Sequence, residues 1–437
     1  MNEYDTEKMY ALLQETHQPV EDAQSAEVVI INTCSVREKA QNKLYGTLGH
    51  LQYLKQNRPN VVVGISGCVA QQEGQTIIDN SKAVDFVIGT HNLSLVPSLV
   101  KRAQQGGEEL PKEFDSFDTN TVPLDTAFFS STRALVAIQR GCEKHCSFCV
   151  VPTTRGPQVS RLADEVIREI TLKARLGAKE VMLLGQTVNS YGLDLKPRFK
   201  FEKLIEAIAD IPGIERIRFT SPHPAEVRPA FIDLYSRIPA LCPHIHLPLQ
   251  SGSDRILGLM NRNYRRKRYL EIVDSLKQKC PDIAITSDII IGFPTETEED
   301  FQDTMEIVKN VGYSSVFSFM YSVRPNTVAA DEYTDEQLIE YTTAHRRLTE
   351  LQKVQEDFSL HYNQQRMDST VEVLIEGNSK KRPLAVRGRI PQNTTVEVVC
   401  DPEKAGGELP KAGQIVKAKI TRASPHGLGA ILIHESA

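Results

Sequence analysis

The chain has 437 residues, enough at roughly 100–200 residues per domain for two to four domains with full cores. Lys and Arg total 51 against 56 Asp and Glu, a net charge of −5, which excludes a protein held to nucleic acid by overall charge and leaves only a local basic surface. Hydrophobic residues at 40% and charged residues at 24% fit a globular chain, no run reaches the ~18 apolar residues of a membrane span, and the opening MNEYDTEKMY is too polar for a signal peptide. A cytoplasmic protein with no membrane partner is expected. Its eight cysteines then point to ligands or packing rather than to disulfides.

The first hundred residues alternate β-branched runs (Val28-Val29-Ile30-Ile31, Val61-Val62-Val63, Val84 to Ile88) with helix-like stretches at Lys39 to Leu54 and Leu93 to Arg102. Short apolar runs of this kind predict buried parallel strands in a small α/β layer domain. From Gln104 to Ala127 the pattern gives way to a Gly-, Pro- and acid-rich linker. Six strand-like runs follow with helices between them: Ala134–Gln139, Glu180–Leu184, Arg216–Thr220, His244–Leu249, Ile283–Ile291 and Ser315–Tyr321. Six βα repeats predict a parallel sheet curled into a full or partial barrel, with its chemistry at the C-terminal strand ends. A long polar helix from Asp335 to about Arg366 closes that region. Beyond Thr370, short alternating strands broken by Gly and Pro predict a small β-barrel. Residues 370–437 hold ten Lys and Arg against seven Asp and Glu, a net +3, while the rest of the chain is −8. Positive charge is segregated onto the small barrel.

The candidate chemistry lies in Arg140-Gly141-Cys142-Glu143-Lys144-His145-Cys146-Ser147-Phe148-Cys149, a C-x3-C-x2-C loop following the first barrel strand. Three clustered thiolates suit three irons of a cubane cluster, leaving the fourth iron open. The alternative is a structural zinc site. That needs four ligands, and the only near candidate, His145, lies inside the loop. His223 and His246 read as packed or hydrogen-bonded histidines rather than ligands. The basic run from Arg262 to Arg268 reads either as a solvated helix face or as phosphate contacts. Lys380, Lys381, Arg382, Arg387 and Arg389 read as a nucleic-acid surface on the small barrel.

The cysteine loop, with an aromatic before its last Cys and a βα barrel around it, resembles the radical S-adenosylmethionine (SAM) superfamily. The strings NTCSVREKAQNKLYG, SGCVAQQEG, RGCEKHCSFCVVPTTRGPQVSR, LLGQTVNSYG, HLPLQSGSDRILGLMNRNY and SDIIIGFPTETEEDF resemble the methylthiotransferases within it, specifically the MiaB branch of tRNA-2-methylthio-N6-dimethylallyladenosine synthases. The resemblance spans essentially the whole chain and implies an α/β multidomain protein. It divides into a methylthiotransferase N-terminal domain (1–103), a linker (104–127), a partial (β/α)6 radical SAM barrel (128–360) and a TRAM tRNA-binding barrel (363–434).

The resemblance implies sulfur insertion at C2 of the N6-isopentenyladenosine just 3′ of the anticodon in tRNA. One SAM would supply the methyl group and a second a 5′-deoxyadenosyl radical. Threonylcarbamoyladenosine in tRNA or a ribosomal protein is the alternative substrate, and a non-catalytic RNA-binding or iron–sulfur scaffold is a reading from another class. Two 4Fe-4S clusters are implied. Cys142, Cys146 and Cys149 would hold the SAM cluster, and Cys34 and Cys68 two corners of an auxiliary cluster. The family's third auxiliary cysteine stands in a G-C-Q-M-N motif, and this chain starts at Met1-Asn2-Glu3, just past it. Either a start site placed too late or a variant ligand would account for that, and the strand expected before the cysteine is absent too, exposing a sheet edge. SAM contacts carry over to Gly185 and Gln186, to Gln250 and Ser251, and to Gly292, Phe293 and Pro294, although Gly and Pro at strand ends are also ordinary turn residues. A flavodoxin-type reductant and a monomeric state are expected. Cys242, Cys280 and Cys400 read as small buried hydrophobes.

Overall fold

Apolar runs that can face water on neither side become the inner strands of the molecule. The computed structural model describes residues 1–34, 38–106, 132–400 and 408–433, so the predicted linker lies outside the described residues beyond Gly106. The chain forms two units: residues 1–129 with 140–144 and 149–159, and residues 130–139 and 145–148 with 160–437. Among the described residues no helix is long and apolar enough to cross a membrane.

The first unit runs α1 (Asn2–Leu13), β1 (Val28–Thr33), α2 (Glu38–Asn57), β2 (Val62–Gly67), α3 (Cys68–Asn80), β3 (Phe86–Ile88) and α4 (Val96–Gln104). Its sheet is parallel in the order β1-β2-β3. Alternate residues of β2 serve opposite faces, as the strand period requires. Val63 and Ile65 meet Leu44, Leu48 and Leu51 of α2, while Val62 meets Met9 of α1 and Leu99 of α4. Two helices, α1 and α3, are additions to the predicted elements.

In the second unit all six predicted barrel strands form: β4 (Arg133–Ala137), β7 (Glu180–Leu184), β8 (Arg216–Phe219), β9 (His244–His246), β10 (Ala284–Ile291) and β11 (Ser315–Met320). Between β4 and β7 come the two-residue strands β5 (Gln139–Arg140) and β6 (Val159–Ser160), with α5 (Val151–Arg155) between them and α6 (Ala163–Arg175) after. The later crossovers carry α7 (Phe201–Ala209), α8 (Pro229–Arg237), α9 (Asp254–Leu259), α10 (Arg266–Lys279) and α11 (Glu298–Val311). After β11 come α12 (Val328–Glu332) and α13 (Tyr341–Gln364). The sheet is split into β4-β7-β8 and β11-β10-β9, joined by the single bridge Ile217–Leu241. Strand β9 is shorter than predicted because Pro248 has no N–H to give to the ladder.

Strand β8 shows how the larger barrel is filled. Phe219 points to the helix layer and meets the rings of Phe201 and Phe231 at 5.3 and 5.4 Å. Arg216 and Arg218 lie on the opposite face, and both are buried. Their acceptors come from the C-terminal barrel, a closed five-stranded sheet built from β12 (Thr370–Asn378), β13 (Ala385–Arg389), β14 (Thr395–Val399), β15 (Ile415–Ser424) and β16 (Gly427–Leu432). Arg216 donates to the carbonyls of Arg389 (2.8 Å) and Glu372 (3.1 Å). Arg218 donates to Pro391 (2.8 Å) and Ile390 (3.0 Å), and pairs with Glu180 at 2.8 Å. The small barrel is therefore seated where β7 and β8 begin, at the N-terminal strand ends. Its own core is aliphatic, around Val373, Val386, Val398 and Ile420.

Candidate active site

The cysteine loop needs glycine before its first thiol. Gly141 has φ +71°, and a Cβ there would fall 1.9 Å from the carbonyl oxygen of Pro157 and 2.5 Å from that of Gly156, so no other residue fits without moving backbone. This close approach lets the Cys142 N–H donate to the Gly156 carbonyl at 3.1 Å, and the Lys144 N–H reaches Cys142 Sγ at 3.4 Å. The middle of the loop is pinned separately. Ser147 donates from its N–H to Met260 and from its hydroxyl to Leu259, Asn261 donates to the His145 carbonyl at 2.7 Å, and Phe148 packs on a cluster of Ile256, Met260 and Phe293. The Cys146 sulfur accepts an N–H from Arg262 at 3.2 Å. All three are half-buried and none is in a disulfide.

Cys34 and Cys68 come from adjacent strands. In the parallel register Thr33 lies opposite Gly67, so the next residue of each strand is a cysteine at the same sheet edge, with strands about 4.8 Å apart. Gly67 has φ +96°, and a Cβ would meet the Thr33 carbonyl oxygen at 2.4 Å, which explains the glycine of the SGC string. Cys68 opens α3, where unpaired backbone N–H groups favour negative charge. Its sulfur accepts an N–H from Arg155 at 3.3 Å, and Arg155 also donates to Asn2 (2.9 Å) and pairs with Asp5 (2.8 Å). Burial opposes the charge on Arg155, but Asp5 and Cys68 hold it on and its pKa lies above the usual guanidinium value.

The other predicted site residues divide by what their side chains already do. A Cβ on Gly185 would meet Gln139 Cγ at 2.8 Å. Gln139 donates to the Thr187 carbonyl at 2.8 Å, yet its amide oxygen, like that of Gln186, is buried without a hydrogen-bond partner among the described residues. Two orphaned acceptors just past the ends of neighbouring strands mark a place for a donor group, and Gln139 is a member that no sequence motif signalled. Gln250 sits at φ +71° with its N–H on Asp288 and its carbonyl accepting from Ile290. By contrast the Ser251 hydroxyl is taken up by Thr304 and the Ser253 N–H, and Phe293 is buried between the rings of Tyr321 and Tyr333. Gly292 at φ +73° donates its N–H to Glu296 at 3.0 Å, and Pro294 is buried beside it.

Two strings singled out in the sequence prove to be fastened together. Asp300, in the capping box of α11, accepts from Ser253 at 2.6 Å and pairs with Arg255. Burial raises the Asp300 pKa, but the bonds from Arg255, Ser253 and Thr297 outweigh it and hold the carboxyl below the ordinary range. Its contribution is therefore present above the unfolded value of about 4 and is lost as the pH falls below that. Asp300→Ala is expected to cost about 2 kcal/mol through the lost cap and charged bonds, read as a lowered thermal midpoint. An unchanged midpoint, with the exposed Glu299→Ala as control, would sink that account.

The remaining candidates are absorbed by the fold. His223 accepts the Ala225 N–H, and His246 lies 3.0 Å from Thr286 and 3.1 Å from Asp288. The basic run does not present a row of free cations, since Arg262 is buried, Arg266 pairs with Asp303 and Glu306, and Arg268 with Glu271. On the small barrel Arg382 pairs with Glu397 and Arg389 with Glu376, while Lys380, Lys381 and Arg387 are exposed. Burial pushes the Cys242 thiol up to about 11 and raises those of Cys280 and Cys400. Among the described residues no three His, Cys, Asp or Glu side chains gather around one point as a single ion requires. A cluster asks for something different, one sulfur per iron, and the sulfurs of Cys68, Cys142 and Cys146, which already accept N–H groups, suit it.

Comparison with known proteins identifies relatives over the whole chain. The chain matches the Radical SAM superfamily over residues 136–308 and the uncharacterized protein family UPF0004 over residues 1–89. It is 43% identical over 433 residues to a tRNA-2-methylthio-N(6)-dimethylallyladenosine synthase of Geotalea uraniireducens, covering 98% of this chain and 95% of that one. A protein of the same name from Cupriavidus necator is 39% identical, covering 100% and 97%. Among solved structures, the radical S-adenosylmethionine methyltransferase TsrM from Kitasatospora setae is similar in fold, with TM-score 0.56 and 14% identity over 76% of this chain and 75% of that one.

Proposed function

Because the chain belongs to the radical SAM family of tRNA-2-methylthio-N6-dimethylallyladenosine synthases, we propose that Cys142, Cys146 and Cys149 hold a 4Fe-4S cluster to which SAM binds, and that Cys34 and Cys68 hold part of a second. The enzyme is a tRNA methylthiotransferase acting at C2 of N6-isopentenyladenosine. When bound, the clusters and SAM supply the radical, the methyl group and the sulfur. The protein supplies position. Gly141 lets the loop fold back on Gly156, and Phe148 anchors its far side on the apolar cluster of Met260 and Phe293. The orphaned oxygens of Gln139 and Gln186 accept the ammonium group of SAM, an N–H donor that would satisfy both. Lys380, Lys381 and Arg387, three of the exposed cations of the small barrel, contact tRNA phosphates and set register without reading sequence.

The observation that carries this reading is the pair of thiols at adjacent strand ends in addition to the three-cysteine loop. SAM cleavage alone needs only the loop, whereas sulfur insertion needs a second sulfur-bearing centre. We assign the enzyme to the cytoplasm, as a monomer served by a flavodoxin-type reductant. The test is an anaerobic reaction of the reconstituted protein with isopentenylated tRNA, SAM and a reductant, followed by mass spectrometry of the digested nucleosides. The expected product is the 2-methylthio nucleoside. Formation of 5′-deoxyadenosine without it, under the same conditions, would refute either the substrate assignment or the assignment of a working second centre to Cys34 and Cys68.

A further inference from the structure

Among the described residues two buried guanidinium groups touch cysteine sulfurs, one in each of the two units. Arg262 is 7% exposed and donates from Nη1 to Cys146 Sγ at 3.2 Å, while its Nε donates to the Tyr264 hydroxyl at 3.1 Å. Tyr264 is fixed in turn by donating to the Leu249 carbonyl at 2.7 Å. Arg155 is 4% exposed and donates from Nε to Cys68 Sγ at 3.3 Å, with Asp5 and Asn2 holding its other end. Burying an arginine is costly unless its charge is used. The function described above assigns no role to either.

We propose that Arg155 and Arg262 are positioning residues that tune the two clusters, each giving one hydrogen bond and one buried positive charge to a ligand sulfur and so raising the reduction potential of the cluster that sulfur serves. The inference rests on the assignment of Cys146 and Cys68 as cluster ligands. Its physical basis is general: an added electron is stabilised by a nearby cation and by N–H donors to the sulfurs, the more so where water is excluded. The two arginines are not equivalent. Asp5 neutralises Arg155 at 2.8 Å, whereas no carboxylate among the described residues pairs with Arg262, whose partners are a tyrosine and a cysteine. Arg262 therefore exerts the larger effect, and it acts on the cluster that must be reduced to cleave SAM. Asp5 opposes Arg155, so removing the Asp5 charge raises the potential on that side.

The experiment is a redox titration of the reconstituted protein followed by electron paramagnetic resonance, without tRNA, with iron and sulfide content measured on every sample. Arg262→Met is expected to make reduction of the loop cluster at least tenfold less favourable, about 59 mV for one electron, leaving the other cluster unchanged. Arg155→Met shifts the other cluster downward by less, and Asp5→Asn shifts it upward. Arg262→Lys, which keeps the charge and loses the planar fork, recovers part of the shift. Where a methionine variant loses iron, the lysine variant decides: full iron content with an unshifted potential overturns the proposal, as do unshifted potentials in both methionine variants. A wild-type protein that takes up no iron would overturn the cluster assignment itself. Failure to methylthiolate tRNA leaves these potentials unaffected, so the two readings fail separately.

Discussion

Replacing Cys142, Cys146 or Cys149 by alanine is expected to abolish 5′-deoxyadenosine formation from SAM, while Cys34→Ala and Cys68→Ala are expected to leave it intact and abolish only the methylthio nucleoside. The asymmetry follows from what each thiol serves. Among the described residues the three-cysteine loop has no spare ligand: His145 is exposed on its surface, and burial raises the thiol pKa of Cys242, Cys280 and Cys400, which favours their protonated form. A loop variant therefore loses a corner that nothing replaces, and with it about four irons per chain. Under the proposed assignment the pair at the strand ends serves a different centre, so its loss is expected to stop the reaction after SAM cleavage. Product analysis of both nucleosides in one anaerobic reaction, with iron counted in parallel, checks both halves. Undiminished 5′-deoxyadenosine from Cys146→Ala would sink the loop assignment, and its disappearance from Cys68→Ala would show that the two sites do not act apart.

Much of this was legible because the relevant signals are local. The cysteine spacing needs no fold to be read, and Glu180–Leu184 forms the strand that its apolar run predicts. What escaped depended on neighbours distant in sequence. Helix α3 opens on Cys68 and is rich in glutamine, so its apolar face of Val69, Ala70 and Ile77 hides behind polar residues. The run from Arg262 to Arg268 has the composition of a phosphate site, but Asp303 and Glu306 on α11 neutralise Arg266. Its first arginine is spent on Cys146, a contact across more than a hundred residues. Gln139 carries no motif at all. Only the fold puts its unpartnered oxygen at a strand end like that of Gln186. For α3 the element itself escaped periodicity, while for Arg262, Arg266 and Gln139 the partner of a charge or an amide was fixed by topology.

Arg218→Met is expected to lower stability by about 3–5 kcal/mol, the range for removing one partner of a buried ion pair. The side chain of Arg218 is 1% exposed and that of Glu180 2%, so the carboxylate left behind is shielded from water. The carbonyls of Ile390 and Pro391 also lose the donors that hold the small barrel to strand β8. Against a typical total of about 5–15 kcal/mol such a loss is severe. A neutral replacement of both partners, Glu180→Leu with Arg218→Met, should cost less than Arg218→Met alone, because it leaves no unpaired charge. Urea unfolding followed by circular dichroism measures the cycle, and a single variant within ~1 kcal/mol of wild type would refute it. The same geometry separates two functions. Arg216 still donates to Arg389 and Glu372, so the small barrel is loosened rather than released, and the damage lies at the N-terminal strand ends. Gln139 and Gln186 lie at the opposite, C-terminal ends. Folded Arg218→Met enzyme should therefore bind tRNA more weakly while cleaving SAM at the wild-type rate when no tRNA is present.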